Sequence, residues 1–364
     1  MHLLCCGRWD GSIFYSETYL TWMPFKKNGA ERPTIEAVEP RAAIPGGDFQ
    51  VHGRDFVRSP RPTVLLGDMA ALLIVGSDNY VVARVPEGAH RGDLIINNGE
   101  QASVPYEVAV GVPLADSLHP VANPAVDEKG VVYTTFSGSR GQKTPVSVYQ
   151  VDRGGTITPF LTELMNATGL AFDRDGVLHI SSRFDGIVYQ ASSSGAMSVF
   201  VEGMGVATGI AFDPDGNLYV GDRSGTVFKI SPNRQIYVFA TMEPSIAAYH
   251  LAFGPERQLY LTGPTTSSFD SVFRISPQGE VEVYYRGLGR PQGMAFDVDG
   301  NLYVAASLAG RRGIVRITPE RKASLYLSGP NIVGLAFAPG NEMMVATSSA
   351  LFRVKGTVAG RPLP

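Results

Sequence analysis

Residues 212–225 read FDPDGNLYVGDRSG, and nearly the same phrase returns along the chain. FDRDGVLHISSRFDG begins at Phe172 and FDVDGNLYVAAS at Phe296, with weaker copies, FGPERQLYLTG and FAPGNEMMVATS, at Phe253 and Phe337. The phenylalanines at 172, 212, 253, 296 and 337 are therefore 40, 41, 43 and 41 residues apart. A steady period of about 40 belongs to repeat architectures, in which each repeat is one supersecondary unit stacked on its neighbours.

Within one period the local chemistry spells four strands. Residues 208–213 (TGIAFD) form a mostly apolar run. In Pro214-Asp215-Gly216-Asn217 the proline fixes φ, and Asp, Gly and Asn tolerate the dihedrals of a tight hairpin. Residues 218–220 make a second strand, and Arg223-Ser224-Gly225 turns again. TVFKI, 226–230, alternates like a half-buried strand, and IYVFA, 236–240, is the fourth. Four antiparallel strands per period describe one blade of a β-propeller. Inner strands are expected at 166–173, 206–213, 247–253, 291–297 and 331–338, with a degenerate sixth copy at 121–127. Six blades are expected; a β-helix or open array, built from shorter repeats, is the weaker alternative. The last repeat lacks an outer strand, which residues 112–117 are expected to supply, closing the ring.

Residues 31–110 do not share the period. Stretches such as RPTIEAVEPRAAIPGGDFQVHGRDF and GDLIINNGEQASVPYEVAV carry short strands and turn signals, the pattern of an immunoglobulin-like β-sandwich. No cysteine pair or core tryptophan accompanies them, so an antibody-like domain is excluded. The chain is thus expected to be all-β: an N-terminal immunoglobulin-like β-sandwich over 31–110 and a six-bladed β-propeller over 111–364. Residues 1–30 are expected to belong to neither, with Met23 as the true start.

Composition narrows the function. The chain has 364 residues, 44% hydrophobic and 18% charged, with a net charge of −3. That balance is globular and makes no electrostatic case for nucleic acid. Only Cys5 and Cys6 are present, which excludes a disulfide framework and a cysteine metal site in the rest of the chain. No apolar run approaches the ~18 residues of a membrane span. The start MHLLCCGRWDG makes a poor signal peptide, which favours a cytoplasmic location, while domain analogy leaves export open.

The first region resembles an IPT/TIG domain, on Pro33, Ile35, Pro40, Gly46-Gly47, Val51, Gly53, Phe56, Val64, Gly67, Val85-Pro86 and Asn98-Gly99. In bacterial proteins the resemblance implies a spacer or interaction module. The second region resembles NHL-repeat propellers and the related senescence-marker/gluconolactonase group, most closely in PQGMAFDVDGNLYV, 291–304. It implies a fold; propellers host many activities.

The gluconolactonase resemblance also implies a divalent cation, calcium or magnesium, in the central channel. Its ligands are Glu, Asn and Asp placed four residues before each inner-strand aromatic, and its Lewis acidity assists lactone hydrolysis. Those positions here are Ala122, Thr168, Thr208, Tyr249, Gln292 and Val333, with no carboxylate. One position along lie Asn123 and His250, again without an acid. Streptogramin-lyase propellers imply a His with a Glu and magnesium; His250 is the one weak catalytic candidate, and Glu243 and Glu256 do not match in spacing. A lone histidine is more often a satisfied polar residue, the expectation for His250, His119 and His179 alike. Asp173/Asp175, Asp213/Asp215 and Asp297/Asp299 look like calcium-loop fragments but lack the further carboxylates, so they are read as turn formers.

The loops after each second strand hold Arg140, Ser182-Arg183, Asp222-Arg223, Thr265-Thr266, Arg311-Arg312 and Ser348-Ser349. Several arginines around one rim suit an anionic ligand, since guanidinium pairs with carboxylate or phosphate through two hydrogen bonds. The alternative is that they merely solvate loops. The expected ligand-binding set is Asn123, Thr168, Arg183, Thr208, Asp222, Arg223, Tyr249, His250 and Gln292. No nucleophile elbow, Walker loop, dinucleotide fingerprint or zinc spacing is present. The expected function is a binding or scaffold protein that holds a small polar ligand, anionic ones included, or a partner protein at the channel mouth. The rival is a divergent propeller hydrolase or lyase using a divalent cation near His250, Asn123 and Gln292.

Overall fold

The computed structural model describes residues 32–361 apart from 58–60, 91, 140, 268 and 357. The expectations for residues 1–30 and for Arg140 lie outside the described residues. Among the described residues every element is a strand except a single 3-10 turn at Pro255–Arg257. No helix there is long and apolar enough to cross a membrane.

Five four-stranded antiparallel sheets carry the propeller arrangement. The first runs from its inner strand Ala125–Val126 through Val132–Thr135 and Val148–Val151 to Ile157–Leu161. The second uses Ala167–Phe172, Leu178–Ser182, Val188–Ala191 and Met197–Val201, and the third Ala207–Phe212, Leu218–Asp222, Thr226–Ile230 and Ile236–Thr241. The fourth uses His250–Phe253, Leu259–Thr262, Asp270–Ile275 and Val281–Leu288. The last in chain order uses Ile332–Ala338, Glu342–Thr347 and Leu351–Val354, and its outer strand is Val112–Ala115, paired antiparallel with Leu351–Val354. That outer strand falls where the sequence led one to expect it.

The remaining copy departs from the expected four strands. Met294–Phe296, Leu302–Leu308, Arg311–Ile317 and Ala323–Ser328 are joined by Ala42–Ala43 and Ala109–Val110, giving six strands. Both added strands run parallel: Ala42 pairs with Leu327 and Ala109 pairs with Ala42. The N-terminal region is therefore not a free-standing unit. Gly47 lets this happen, because a Cβ there would lie 2.3 Å from the carbonyl oxygen of Ser328. Ser328 in turn accepts the Asp48 N–H on its hydroxyl at 2.9 Å.

The other N-terminal strands form one seven-stranded sheet rather than two separate ones. Met69–Gly76 is the reason. Its first residues pair with Thr63–Leu66, and from Leu72 onward it pairs with Tyr80–Arg84. The apolar alternation buries Phe49, Val51, Phe56, Val81, Leu94 and Ile96 in a single core.

The recurring phrase has a structural cause. Asp213 Oδ1 accepts the N–H groups of Asp215 and Asn217, each at 2.9 Å, and so folds the hairpin. Its Oδ2 accepts the Tyr219 hydroxyl at 3.2 Å. Asp297 does the same for Asn301 and Tyr303, and Asp173 for Val177 and His179. The aspartates thus act as turn formers that also orient the aromatic of the second strand. That aromatic stands edge-on between two sheets. Tyr219 has ring centroids 4.9 Å from both Phe239 of its own outer strand and Phe253 of the next inner strand. Tyr133, His179, Tyr260 and Tyr303 repeat the arrangement with Phe172, Phe212, Phe296 and Phe337 respectively. Edge-to-face pairs of this kind add about 0.5–1.5 kcal/mol beyond area burial. His179 is therefore a packing residue, and burial holds its pKa below the ordinary value against the pull of Asp173.

Candidate functional site

The inner strands all line one central channel, whose two ends differ in chemistry. At the end where these strands begin, side-chain hydrogen bonds tie sheet to sheet. Asn166 accepts the Gly141 N–H at 2.8 Å and donates to the carbonyls of Gly138 and Ser139, joining the first two sheets. The Ser181 hydroxyl donates to the Thr208 carbonyl, joining the second and third. Thr208 Oγ1 donates to the Gly221 carbonyl at 2.8 Å and accepts the Tyr249 N–H at 3.1 Å. Thr262 donates to the Gln292 carbonyl at 2.7 Å, and the Gly293 N–H to the Val333 carbonyl at 3.1 Å. Asn123 closes the circle, donating to the Met294 carbonyl at 2.8 Å and accepting the Leu335 N–H at 3.1 Å. Gly293 is required here, since a Cβ would sit 2.0 Å from Asn123 Oδ1.

Several of the expected ligands belong to this network or to bonds beside it. Asn123 and Thr208 have both their donor and acceptor engaged with backbone. Thr168 donates to the Asn166 carbonyl at 2.9 Å, and Tyr249 donates its hydroxyl to the Glu243 carbonyl. Burial, helped by the charge of Asp222, pushes the Tyr249 hydroxyl up to about 12. Asp222 Oδ1 accepts the N–H groups of Val206 and Ser224, and its Oδ2 accepts the Ser224 hydroxyl. Arg183 reaches the Gly138 carbonyl at 3.0 Å, while Arg223 is exposed. Arg311, expected on the rim, instead donates to Gln50 Oε1 at 2.9 Å and to the Glu39 carbonyl at 3.1 Å. It joins the six-stranded sheet to the N-terminal one.

Of the expected rim, the structure gathers Arg312 and Ser348 into one cleft of roughly 570 Å³, together with Gln292 of the expected ligand set. Ser267, Arg290, Ser307 and Asn331 complete its polar lining, which among the described residues holds no carboxylate. Arg290 and Arg312 are both exposed, and no acidic partner for either is present among the described residues. Arg290 carries no signal of the rim pattern, because it does not sit in a loop after a second strand. It lies just before an inner strand, in GRPQG, and the same rim argument applied there finds it.

Asn123 and His250 also line the inner side of a cavity of roughly 220 Å³ with mostly apolar walls, which runs from this network toward the hairpin end of the channel. His250 is buried, and that burial pushes its pKa down to about 4, so the imidazole is neutral at ordinary pH. No carboxylate lines this cavity. Among the described residues no group of three or more His, Cys, Asp or Glu side chains is placed to hold a metal ion. The carboxylates of the gluconolactonase-type ligand set are thus missing from the channel positions, and the one amide there, Asn123, is already bonded to backbone, so those residues do not fit that cation.

Comparison with solved structures agrees with the propeller. A gluconolactonase from Xanthomonas campestris matches with a TM-score of 0.55 at 15% identity, over 71% of this chain and 90% of its own. An auxiliary nutrient binding protein from Bacteroides ovatus matches with a TM-score of 0.53 at 12% identity, over 91% and 99%. A Bacteroides thetaiotaomicron protein of unknown function matches with a TM-score of 0.56 at 13% identity, over 89% and 98%. The chain has the fold of a β-propeller protein. At these identities the likeness is one of fold. No protein-family model matches the chain, and no curated protein matches it in sequence.

Proposed function

We propose that the chain is a binding protein that holds a small anionic ligand at the end of the propeller where the inner strands begin. The reading rests on one observation: Arg290 and Arg312 line the same cleft as Gln292, Asn331, Ser307 and Ser348, without a carboxylate to neutralise them. Two unpaired guanidinium groups with amide and hydroxyl donors between them suit a carboxylate or phosphate, each able to accept two hydrogen bonds from one arginine. The fold likeness to a nutrient binding protein is in keeping with this. We also read the six-stranded sheet as the remaining blade of a six-bladed propeller over 111–364, and residues 31–110 as an IPT/TIG-type sandwich docked on it. An experimental structure of the full chain checks both.

Thermal unfolding with citrate and with inorganic phosphate tests the binding reading. A ligand at a hundred times its dissociation constant stabilises the folded state by about 2.7 kcal/mol. The expected result is a raised midpoint that disappears in Arg290→Ala/Arg312→Ala. A midpoint unmoved by either anion, or a rise that survives both substitutions, overturns it. The second reading is a propeller hydrolase or lyase, favoured by the likeness to a gluconolactonase. A rise in midpoint specific to calcium or magnesium after EDTA treatment, with lactone turnover, would put it ahead.

A further inference from the structure

The opposite end of the channel holds a different cavity. At one register position, paired across to the second strand, each inner strand places an alanine: Ala125, Ala171, Ala211, Ala252, Ala295 and Ala336. All six line the 220 Å³ cavity, so small side chains at a single level leave the hole open. For scale, an apolar cavity of about 150 Å³ admits benzene. The polar groups of Asn123 are engaged with backbone, and His250 is neutral. One charged side chain lines the cavity, and it is Arg361.

Arg361 is there because the C-terminal tail is strapped beneath the inner strands. The Arg361 N–H donates to the Phe296 carbonyl at 2.9 Å, and the Val298 N–H donates to the Ala359 carbonyl at 3.1 Å. Gly360 bridges to Asp297 and presses on Phe337, where a Cβ would lie 2.0 Å from the phenylalanine Cβ. The backbone is thus fixed while the guanidinium stays exposed, with no acidic partner among the described residues. Of the four carboxylates in the adjoining cleft that Arg361 also lines, Asp127 and Asp173 hold hairpin N–H groups, and Glu128 and Asp175 are exposed with no ion pair to Arg361 among the described residues.

We propose that this cavity binds a small monocarboxylate with an apolar body, the body among the six alanines and the carboxylate on Arg361. The size fits a single ring or a short chain, and burying that body supplies the affinity while the guanidinium selects the acid over its neutral analogue.

Calorimetric titration of the full chain with 3-phenylpropionate tests the idea, with 3-phenylpropan-1-ol and acetate as controls. The acid is expected to bind at least tenfold more tightly than either control. Arg361→Gln, an exposed change, should lower acid affinity to that of the alcohol and leave the alcohol unaffected. Ala252→Leu, checked for a native circular dichroism spectrum, should weaken acid and alcohol together. Arg290→Ala/Arg312→Ala should change neither, which separates this site from the anion cleft at the other end. Equal affinity for acid and alcohol, no acid binding, or an acid affinity untouched by Arg361→Gln overturns the proposal.

Discussion

The two ends of one channel are held together by different forces. Where the inner strands begin, neighbouring sheets are tied by Asn123, Asn166, Ser181, Thr208 and Thr262 to backbone groups. Where they finish in hairpins, the ties are rings: Tyr133, His179, Tyr219, Tyr260 and Tyr303 each meet the phenylalanine of the next sheet. The seam between the last sheet and the first is the exception. There Met344 takes the place of the aromatic, within a cluster that includes Val126, Ala338 and Leu351. Hydrogen bonds demand exact partners and leave the surrounding surface polar. Ring contacts need only shape, and they leave apolar walls. The difference explains why a polar cleft lies at one end and an apolar cavity at the other.

The comparison can be broken at several points. The largest effect is expected at the ring end. Tyr303 is fully buried between Tyr326 and Phe337, with its hydroxyl on Asp297. Tyr303→Ala removes a large core side chain and should cost about 3–5 kcal/mol in denaturant unfolding. A loss under about 1 kcal/mol would mean the rings do not hold the seam.

Acid comes next. His250 has its folded-state pKa pushed down to about 4 by burial, against about 6.5 in an unfolded chain. Protonation therefore favours the unfolded state. The contribution is fully present above pH ~6.5 and is lost as pH falls toward 4, about 3 kcal/mol in all. His179, also lowered, adds in the same direction. Stability measured from pH 7 to 4 should fall less steeply in His250→Gln than in the parent chain; parallel curves would refute the assignment.

The smallest effect is expected at the hydrogen-bonded end. Asn123→Ala leaves the Met294 carbonyl and the Leu335 N–H without their side-chain partner, at a cost of about 1–3 kcal/mol. The same variant should leave the anion response of the polar cleft at that end unchanged. Loss of that response would show that the ring of hydrogen bonds positions the cleft.

The spacing of Phe172, Phe212, Phe253, Phe296 and Phe337 was enough to read the repeat, its hairpins and its four-strand unit, because these depend on neighbours within one period. The aspartates could likewise be read as turn formers, since each bonds groups two to six residues away. Roles that cross the chain were not legible. The tie that Asn123 makes between sheets could not be read, because its partners lie 171 and 212 residues further on. Arg311 looked like a rim cation because Gln50, its partner, is 261 residues distant in sequence. Arg361 carried no signal at all, as only the path of the tail beneath Phe296 and Phe337 brings it to the cavity mouth. The sequence by itself determined the repeating strands and turns, which are set by local dihedral preference and apolar alternation. Only the tertiary structure decided which polar groups are committed to holding sheets together and which are left facing a cavity, because that depends on closing the circle of sheets.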